Sequence, residues 1–313
     1  MFAFVVRRIL ATIPVMGVVA IFVFSLLYFS PGDPAAIIAG DIATAEDVAR
    51  IRLALGLDEP FHIRFGTWLW AILHGDLGSS IFSNLPVTTL IGQRLEATIS
   101  LSITTLVFAV AVAVPLGVVA AWKAGGWIDR AVMAFAVFGF SVPVFVLGYL
   151  LIFGFALQLD WLPVQGFVSI RAGFWPFLRQ LILPSVALGT VYIALIARMT
   201  RASMLDVLSQ DYIRTASAKG LRTDRVLLVH ALRNAAVPIV TVIGIGVALL
   251  IGGVVVTESV FAIPGLGRMT VDAILRRDYP IIQGVILMFS FVYVLINLLV
   301  DLSYTLFDPR IRY

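Results

Sequence analysis

The stretch DYIRTASAKGLRTDRVLLVHALRNAAVP, Asp211–Pro238, is polar and basic, yet it lies between two strongly apolar runs. Across Arg198–Arg233 the chain carries seven Lys and Arg residues against three acids. The Ala-, Ser- and Thr-rich part before Gly220 is typical of a short helix that ends at a glycine in the left-handed conformation. We expect Thr223 to cap a second helix from Asp224. Because small residues allow close packing, the pattern predicts a helix that docks onto a partner.

The composition around this stretch is that of an integral membrane protein. Hydrophobic residues make up 61% of the 313 residues and charged residues only 13%, whereas soluble domains carry roughly a quarter. There is no cysteine, so disulfides and cysteine-ligated metals are excluded.

Six charge-free windows are each near or above the ~18 apolar residues that a membrane span needs. Their uniform apolarity indicates helices in lipid, because barrel strands would alternate. The fourth is the shortest and contains Pro184. The sequence therefore predicts an all-α bundle of six transmembrane helices at about residues 9–30, 99–121, 132–157, 181–199, 236–257 and 280–302.

The distribution of charge predicts the orientation. With the N-terminus in the cytoplasm, 13 of the 22 Lys and Arg residues lie inside, whereas 12 of the 18 acids lie outside, as the positive-inside rule requires. Both termini are then cytoplasmic. The net charge of +4 follows from topology and partner docking, so nucleic acid is not an expected partner. The first window is too long for a cleaved signal, and we expect a retained helix.

The large segment after the first helix is predicted to be extracytoplasmic. Within it, Phe61–Leu73 is aromatic and amphipathic. We expect Phe65, Trp68 and Trp70 at the membrane interface, where aromatic rings are favoured.

Several sites are missing from the sequence. There is no phosphate-binding Gly-x-x-x-x-Gly-Lys-Ser/Thr, so the chain is not expected to hydrolyse ATP itself. His62, His74 and His230 lack metal-ligand spacing, and no metal site is predicted. Gly244 and Gly246 fall in an apolar span and indicate close helix packing. A secondary transporter is an alternative function from another class of membrane protein. It would need broken membrane spans with central charges, and the sequence does not show such spans.

The stretch Asp211–Pro238 resembles the cytoplasmic coupling loop of ATP-binding-cassette (ABC) importer permeases of the dipeptide/oligopeptide/nickel family. That loop reads Glu-Ala-Ala, three residues, then Gly. Ala216 and Gly220 match it, whereas Arg214 and Thr215 replace Glu and the first Ala. Three further stretches are similar, and the resemblance covers essentially the whole chain: PGDP at 31–34, ESVFAIPGLGR at 258–268 and DPRIRY at 308–313.

The resemblance implies a type I ABC importer permease in the bacterial inner membrane. Residues 1–93 would form the N-terminal helix with its extracytoplasmic segment, 94–303 the permease core, and 198–235 the coupling loop. The implied partners are a second homologous permease, two ABC ATPase subunits and an extracytoplasmic substrate-binding protein. No cofactor is expected on this chain, since ATP and Mg would be bound by the ATPase subunits.

The candidate site residues follow from the same reading. For ATPase coupling they are Tyr212, Arg214, Thr215, Ala216, Lys219, Gly220, Leu221 and Arg222. Candidate pathway residues are Ser141, Thr241 and Asn297, and candidate contacts to the binding protein are Glu258 and Arg268. Asp301, near the cytoplasmic end of the last span, has either a structural or a gating role.

The expected substrates are di- and oligopeptides. Nickel, glutathione or another small solute such as an opine remains an alternative, because selectivity in such importers rests largely on the binding protein.

Overall fold

The computed structural model describes residues 2–29, 34–39, 44–54 and 57–307. Most of the PGDP stretch and all of DPRIRY lie outside these residues. Within the described chain the only β pairing is a single bridge between Ser79 and Pro86, and the remaining regular structure is helical.

Fourteen α-helices follow one another in the described chain. In order they are α1 Phe2–Phe29, α2 Pro34–Ala39, α3 Ala45–Ala54, α4 Phe61–Leu73, α5 Val87–Trp122, α6 Trp127–Ser141, α7 Val144–Leu151, α8 Phe174–Leu208, α9 Asp211–Ala218, α10 Thr223–Arg225, α11 Leu232–Asn234, α12 Ala236–Val260, α13 Leu266–Arg276 and α14 Tyr279–Phe307. Two π-helical segments, Ile152–Gln158 and Val226–Ala231, extend α7 and α10, and a 3₁₀ turn covers Ile170–Ala172.

Four of these helices, α5, α8, α12 and α14, are long and apolar enough to cross a membrane. The pair α6–α7 makes a fifth span if it is counted as one. In α1 the apolar part is the shorter stretch Leu10–Leu26. All six predicted apolar segments are therefore helical, and the all-α membrane fold is confirmed.

The third predicted span is not one straight helix. The axes of α6 and α7 differ by 103°, and Val142 between them has an extended backbone with φ −88° and ψ 122°. Pro143 explains the break, because it lacks an N–H and disfavours helical geometry in the residue before it.

The chain divides into two compact units. Of the described residues, the larger unit comprises Glu96–Arg268 with 295–307, and the smaller comprises those within Phe2–Leu95 together with Met269–Val294.

Helix α8 is the centre of the larger unit. Of its apolar window 72% is buried, against 33% for α5 and α12. Small residues allow neighbours to approach closely. A Cβ on Gly117 of α5 would lie 2.5 Å from the Cβ of Thr200. At Gly244 of α12 it would collide with Val300, so the predicted close packing there is confirmed.

In the smaller unit, α4 packs against α1 by its aromatic face. The Phe24 ring lies 5.1 Å from Trp68 and 5.5 Å from Phe65, centroid to centroid. These two rings therefore take part in a helix–helix contact, and their position at the membrane interface stays a prediction. Trp70 is 66% exposed, and its interfacial position stays a prediction.

Candidate functional site

Helix α9 ends as the sequence predicts. Gly220 has φ +78°. Its N–H donates to the Ser217 carbonyl at 3.0 Å, and the Leu221 N–H donates to the Ala216 carbonyl at 3.4 Å. These two bonds form a Schellman motif. A Cβ on Gly220 would meet nothing within 4 Å, so the need for glycine is conformational and not steric.

The two faces of α9 differ. Ile213 and Ala216 are buried, at 4% and 8% exposure. Tyr212, Arg214, Thr215, Lys219, Gly220 and Arg222 are exposed, and Leu221 is half-buried. Ala216 therefore faces the protein's own core, and its small side chain lets α9 lie close to the bundle. Of the predicted coupling residues, those on the exposed face are available to a partner.

Beneath α9 lies a cluster that we call the loop core. It joins α9 to the ends of α5, α8 and α12 and to the segment after α10. Its buried members are Val118, Ala121, Met204, Ile213, Val226, Leu227, Ala231, Ala235 and Ile239. Burying one such aliphatic side chain contributes about 2 kcal/mol. Ile213 therefore anchors α9 in a buried cluster that also contains residues from three helices of the bundle.

The first part of the predicted basic loop, 198–235, is helical. Helix α8 continues to Leu208, so Arg198 and Arg201 belong to this helix. The cap of the second helix also differs from the prediction. Its N-cap is Arg222 and Thr223 is already helical, with no side-chain cap bond.

The remaining charges of the loop are exposed. Arg214 lies 3.5 Å from Asp211 and Arg222 lies 3.2 Å from Asp224. Because exposed ion pairs contribute little, both guanidinium groups can exchange these partners for acids on another protein.

Arg201 makes a bidentate ion pair with Asp129. Its Nε donates to Asp129 Oδ1 at 2.5 Å and its Nη2 donates to Oδ2 at 2.7 Å. The Gly125 N–H donates to the same carboxylate at 2.9 Å. Asp129 is only 4% exposed. The pair fixes the α5–α6 turn to α8, about two turns before α8 ends at Leu208.

Glu258 is not a surface residue, so the predicted contact to a binding protein is wrong for it. Its exposure is 0%. Oε1 accepts from the Thr98 hydroxyl at 2.6 Å, and Oε2 accepts from the backbone N–H of Arg268 at 2.9 Å. Thr98 Oγ1 in turn accepts from the Leu266 N–H at 2.8 Å. A Cβ on Gly265 would collide with the carboxylate.

The network around Glu258 serves as the N-terminal cap of α13. The first N–H groups of a helix have no partner within it and favour a negative charge. Here α12 supplies the carboxylate and α5 supplies the hydroxyl. The spacing of glycines in ESVFAIPGLGR lets the backbone close over Glu258.

The structure predicts different effects for two substitutions at Glu258. Glu258→Ala leaves the Arg268 N–H and the Thr98 hydroxyl buried without this acceptor, at about 1–3 kcal/mol each. We expect a clear fall in the melting temperature of the purified protein. Glu258→Gln retains an acceptor oxygen, so its melting temperature should fall less. Equal melting temperatures for Glu258→Ala and the unaltered protein would contradict the capping role.

Two of the three predicted pathway residues use their hydroxyl groups within their own helices. Ser141, beside the α6–α7 break, donates to the Val137 carbonyl at 2.8 Å, and Thr241 donates to the Val237 carbonyl at 2.8 Å. Each hydroxyl thus bonds to its own helix. Asn297 is exposed on α14, which also carries Asp301. A pathway or gating role for these residues stays a prediction.

The histidines do not converge with other ligands. His74 lies against Trp70, with 4.2 Å between the ring centroids and an angle of 47° between the ring planes. In the part of the chain that the structure describes, no three His, Cys, Asp or Glu side chains are grouped to hold a metal.

The chain is similar to known transport proteins over its whole length. Residues 113–313 match the family "Binding-protein-dependent transport system inner membrane component", and residues 1–102 match the family of its N-terminal region. A probable peptide ABC transporter permease of Sinorhizobium fredii is 57% identical, covering 99% of both chains. A putative peptide transport system permease of Brucella abortus is 48% identical, covering 100% of both chains.

Two further comparisons bear on substrate and fold. The glutathione transport system permease of Salmonella choleraesuis is 44% identical, covering 100% of both chains. A chain of the MetNI methionine ABC transporter in an inward-facing conformation has a TM-score of 0.60 at 18% identity, covering 71% of this chain and 97% of that one. At that identity the likeness is one of fold.

Proposed function

Because the chain belongs to the family of inner-membrane components of binding-protein-dependent transport systems, we propose that it forms half of the translocation pathway of a peptide importer. As a permease subunit of an ABC transporter it is not an enzyme, and ATP is hydrolysed on separate subunits. It belongs to the ABC class and not to the secondary transporters.

The proposed coupling element is the exposed face of α9. The observation that carries this proposal is the loop core, which ties α9 to the ends of α5, α8 and α12. An ATPase subunit that binds Tyr212, Arg214 and Lys219 would move α9, and through the loop core it would move the ends of all three helices together. ATP binding can then bias the bundle between two packings, provided that the ATPase contacts differ between them.

The proposed assembly contains a second homologous permease, two ATPase subunits and an extracytoplasmic binding protein. Mg and ATP would be bound by the ATPase subunits. The membrane is the bacterial inner membrane, with both termini in the cytoplasm.

Di- and oligopeptides are the proposed substrates, supported by the names of the relatives at 57% and 48% identity. Glutathione, itself a tripeptide, is the second candidate, supported by the relative at 44%.

Transport by the assembled complex tests the proposed function. The chain, its partner permease and the ATPases would be reconstituted in proteoliposomes with the binding protein. We expect ATP-dependent accumulation of a labelled dipeptide, and little accumulation without the binding protein. ATP-dependent accumulation of glutathione but of no dipeptide would select the second candidate. No uptake of either, by a complex that hydrolyses ATP, would contradict both.

The orientation gives a separate prediction. Reporter fusions at residues 60, 170 and 270 should report an extracytoplasmic position, and fusions at 125, 215 and 310 a cytoplasmic one. The reason is the excess of Lys and Arg in the segments placed inside. An extracytoplasmic signal at 215 would place α9 out of reach of any ATPase and contradict the coupling role.

A further inference from the structure

A charged groove lies within the smaller unit, on the side of the spans that the proposed topology places outside. Its volume is about 200 Å³. It lies between the start of α5, the loop before α5, the second half of α13 and the start of α14. Its charged lining residues are Arg94, Asp272, Arg276 and Asp278.

The groove has a fixed floor. Asp278 is 2% exposed, and its carboxylate accepts from the Ser80 hydroxyl at 2.6 Å and from the Ile81 N–H at 3.3 Å. The Ser83 N–H donates to the Ser80 hydroxyl oxygen at 3.1 Å. These bonds tie the loop before α5 to the α13–α14 connection. The carboxylate of Asp278 is thus engaged inside the protein.

The backbone at the end of α13 is held in an unusual conformation. Arg277 has φ +58°, a left-handed value that costs a non-glycine residue about 1 kcal/mol or more. The Arg277 N–H donates to the Ile274 carbonyl at 3.1 Å and the Asp278 N–H donates to the Ala273 carbonyl at 2.9 Å. This sharp turn points the chain inward at Asp278 and leaves Arg276 on the rim.

The rim of the groove carries charged side chains that are not paired with opposite charges in the described part of the chain. Among the described residues neither Arg94, Asp272 nor Arg276 forms an ion pair. Arg94 is half-buried, whereas Asp272 and Arg276 are exposed. The groove as a whole has two guanidinium groups and two carboxylates, but the Asp278 carboxylate is buried and hydrogen-bonded inside the protein, so the two guanidinium groups are the donors left for a partner. Guanidinium groups bind carboxylates with paired hydrogen bonds.

We propose that this groove receives an acidic side chain of the extracytoplasmic binding protein, gripped by Arg94 and Arg276. The inference rests on the proposed function and replaces Glu258 as the docking contact. A volume of about 200 Å³ is below the ~300–1,000 Å³ of sites that enclose small molecules. It suits one side chain of a docked protein better than a free solute. Charge pairs at such rims steer association and favour the correct partner.

Charge reversal tests the groove in the whole transporter, purified with its ATPases in nanodiscs. Arg94→Glu and Arg276→Glu should each weaken binding-protein affinity about tenfold or more at low salt, with a smaller effect at high salt. Basal ATP hydrolysis and ATPase retention should be unchanged. Arg171→Glu is the matched control, since it reverses an exposed arginine elsewhere. It should leave the affinity close to that of the unaltered complex.

Two results would overturn the inference. One is unaltered binding-protein affinity in both Arg94→Glu and Arg276→Glu. The other is binding of a labelled dipeptide to the unaltered complex without the binding protein, with loss of that binding in the variants, which would make the groove a solute site. Failure of the proposed function looks different, because the unaltered complex would then not transport at all.

Discussion

Gly220→Val should abolish peptide uptake while the protein remains in the membrane. Gly220 has φ +78° and open space around it. A β-branched side chain there costs about 1–2 kcal/mol or more, and the chain can relieve this only by changing the turn that ends α9. The exposed face of α9 would then be re-aimed. The measurement is labelled-dipeptide uptake in cells, with co-purification of the ATPase subunits.

The loss of uptake should depend on how readily the residue substituted for Gly220 adopts the left-handed backbone conformation. Gly220→Asn should retain the most uptake and Gly220→Ala less, because Asn adopts this region more readily than other non-glycine residues. The matched control is Gly75→Val. Gly75 has φ +83° and also has nothing within 4 Å of an added Cβ, but it follows α4. Equal loss of uptake in Gly75→Val and Gly220→Val would mean that strain alone, and not coupling, is responsible.

Arg201→Met should strongly destabilise the protein. It leaves the carboxylate of Asp129, 4% exposed, with the Gly125 N–H but without its charge partner. Breaking a buried ion pair in this way costs about 3–5 kcal/mol of stability. Because the Arg201 side chain is 27% exposed, we expect a loss near the lower end of this range. The melting temperature of the purified protein should fall by several degrees.

The double variant Asp129→Asn with Arg201→Met separates pairing from packing. Because it removes both charges, it should recover part of the stability lost in Arg201→Met. An additive loss in the double variant would show that the two residues do not depend on each other. Arg198→Met is the control, since Arg198 lies one turn away on α8 and is exposed, and it should change the melting temperature little.

The helices were predictable because uniform apolarity is a local signal. The end of α9 was equally local, since Gly220 after a run of small residues specifies the turn. The break at Pro143 was present in the sequence, but proline is also tolerated inside spans, as Pro115 in α5 and Pro184 in α8 show. Composition alone could not separate the two cases.

The errors concern residues whose partners are distant in sequence. Arg198 and Arg201 were assigned to a loop because charge usually ends a span, yet α8 continues through them and Asp129 neutralises Arg201. Glu258 was expected to contact a binding protein because it lies in ESVFAIPGLGR, the stretch that resembles the family. Its burial depends on Thr98, 160 residues away, and only the glycines of ESVFAIPGLGR hinted at it.

Cross-linking tests the coupling claim most directly, and the absence of native cysteine makes it specific. Thr215→Cys, on the exposed face of α9, would be compared with Ser79→Cys, exposed before α5, in membranes that contain the whole transporter. With a short thiol-directed photo-cross-linker, we expect Thr215→Cys to form an adduct with an ATPase subunit, in a yield that changes when ATP is added. Ser79→Cys should form none. An adduct from neither position, in a complex that still transports peptide, would contradict the account that α9 joins this permease to its ATPases.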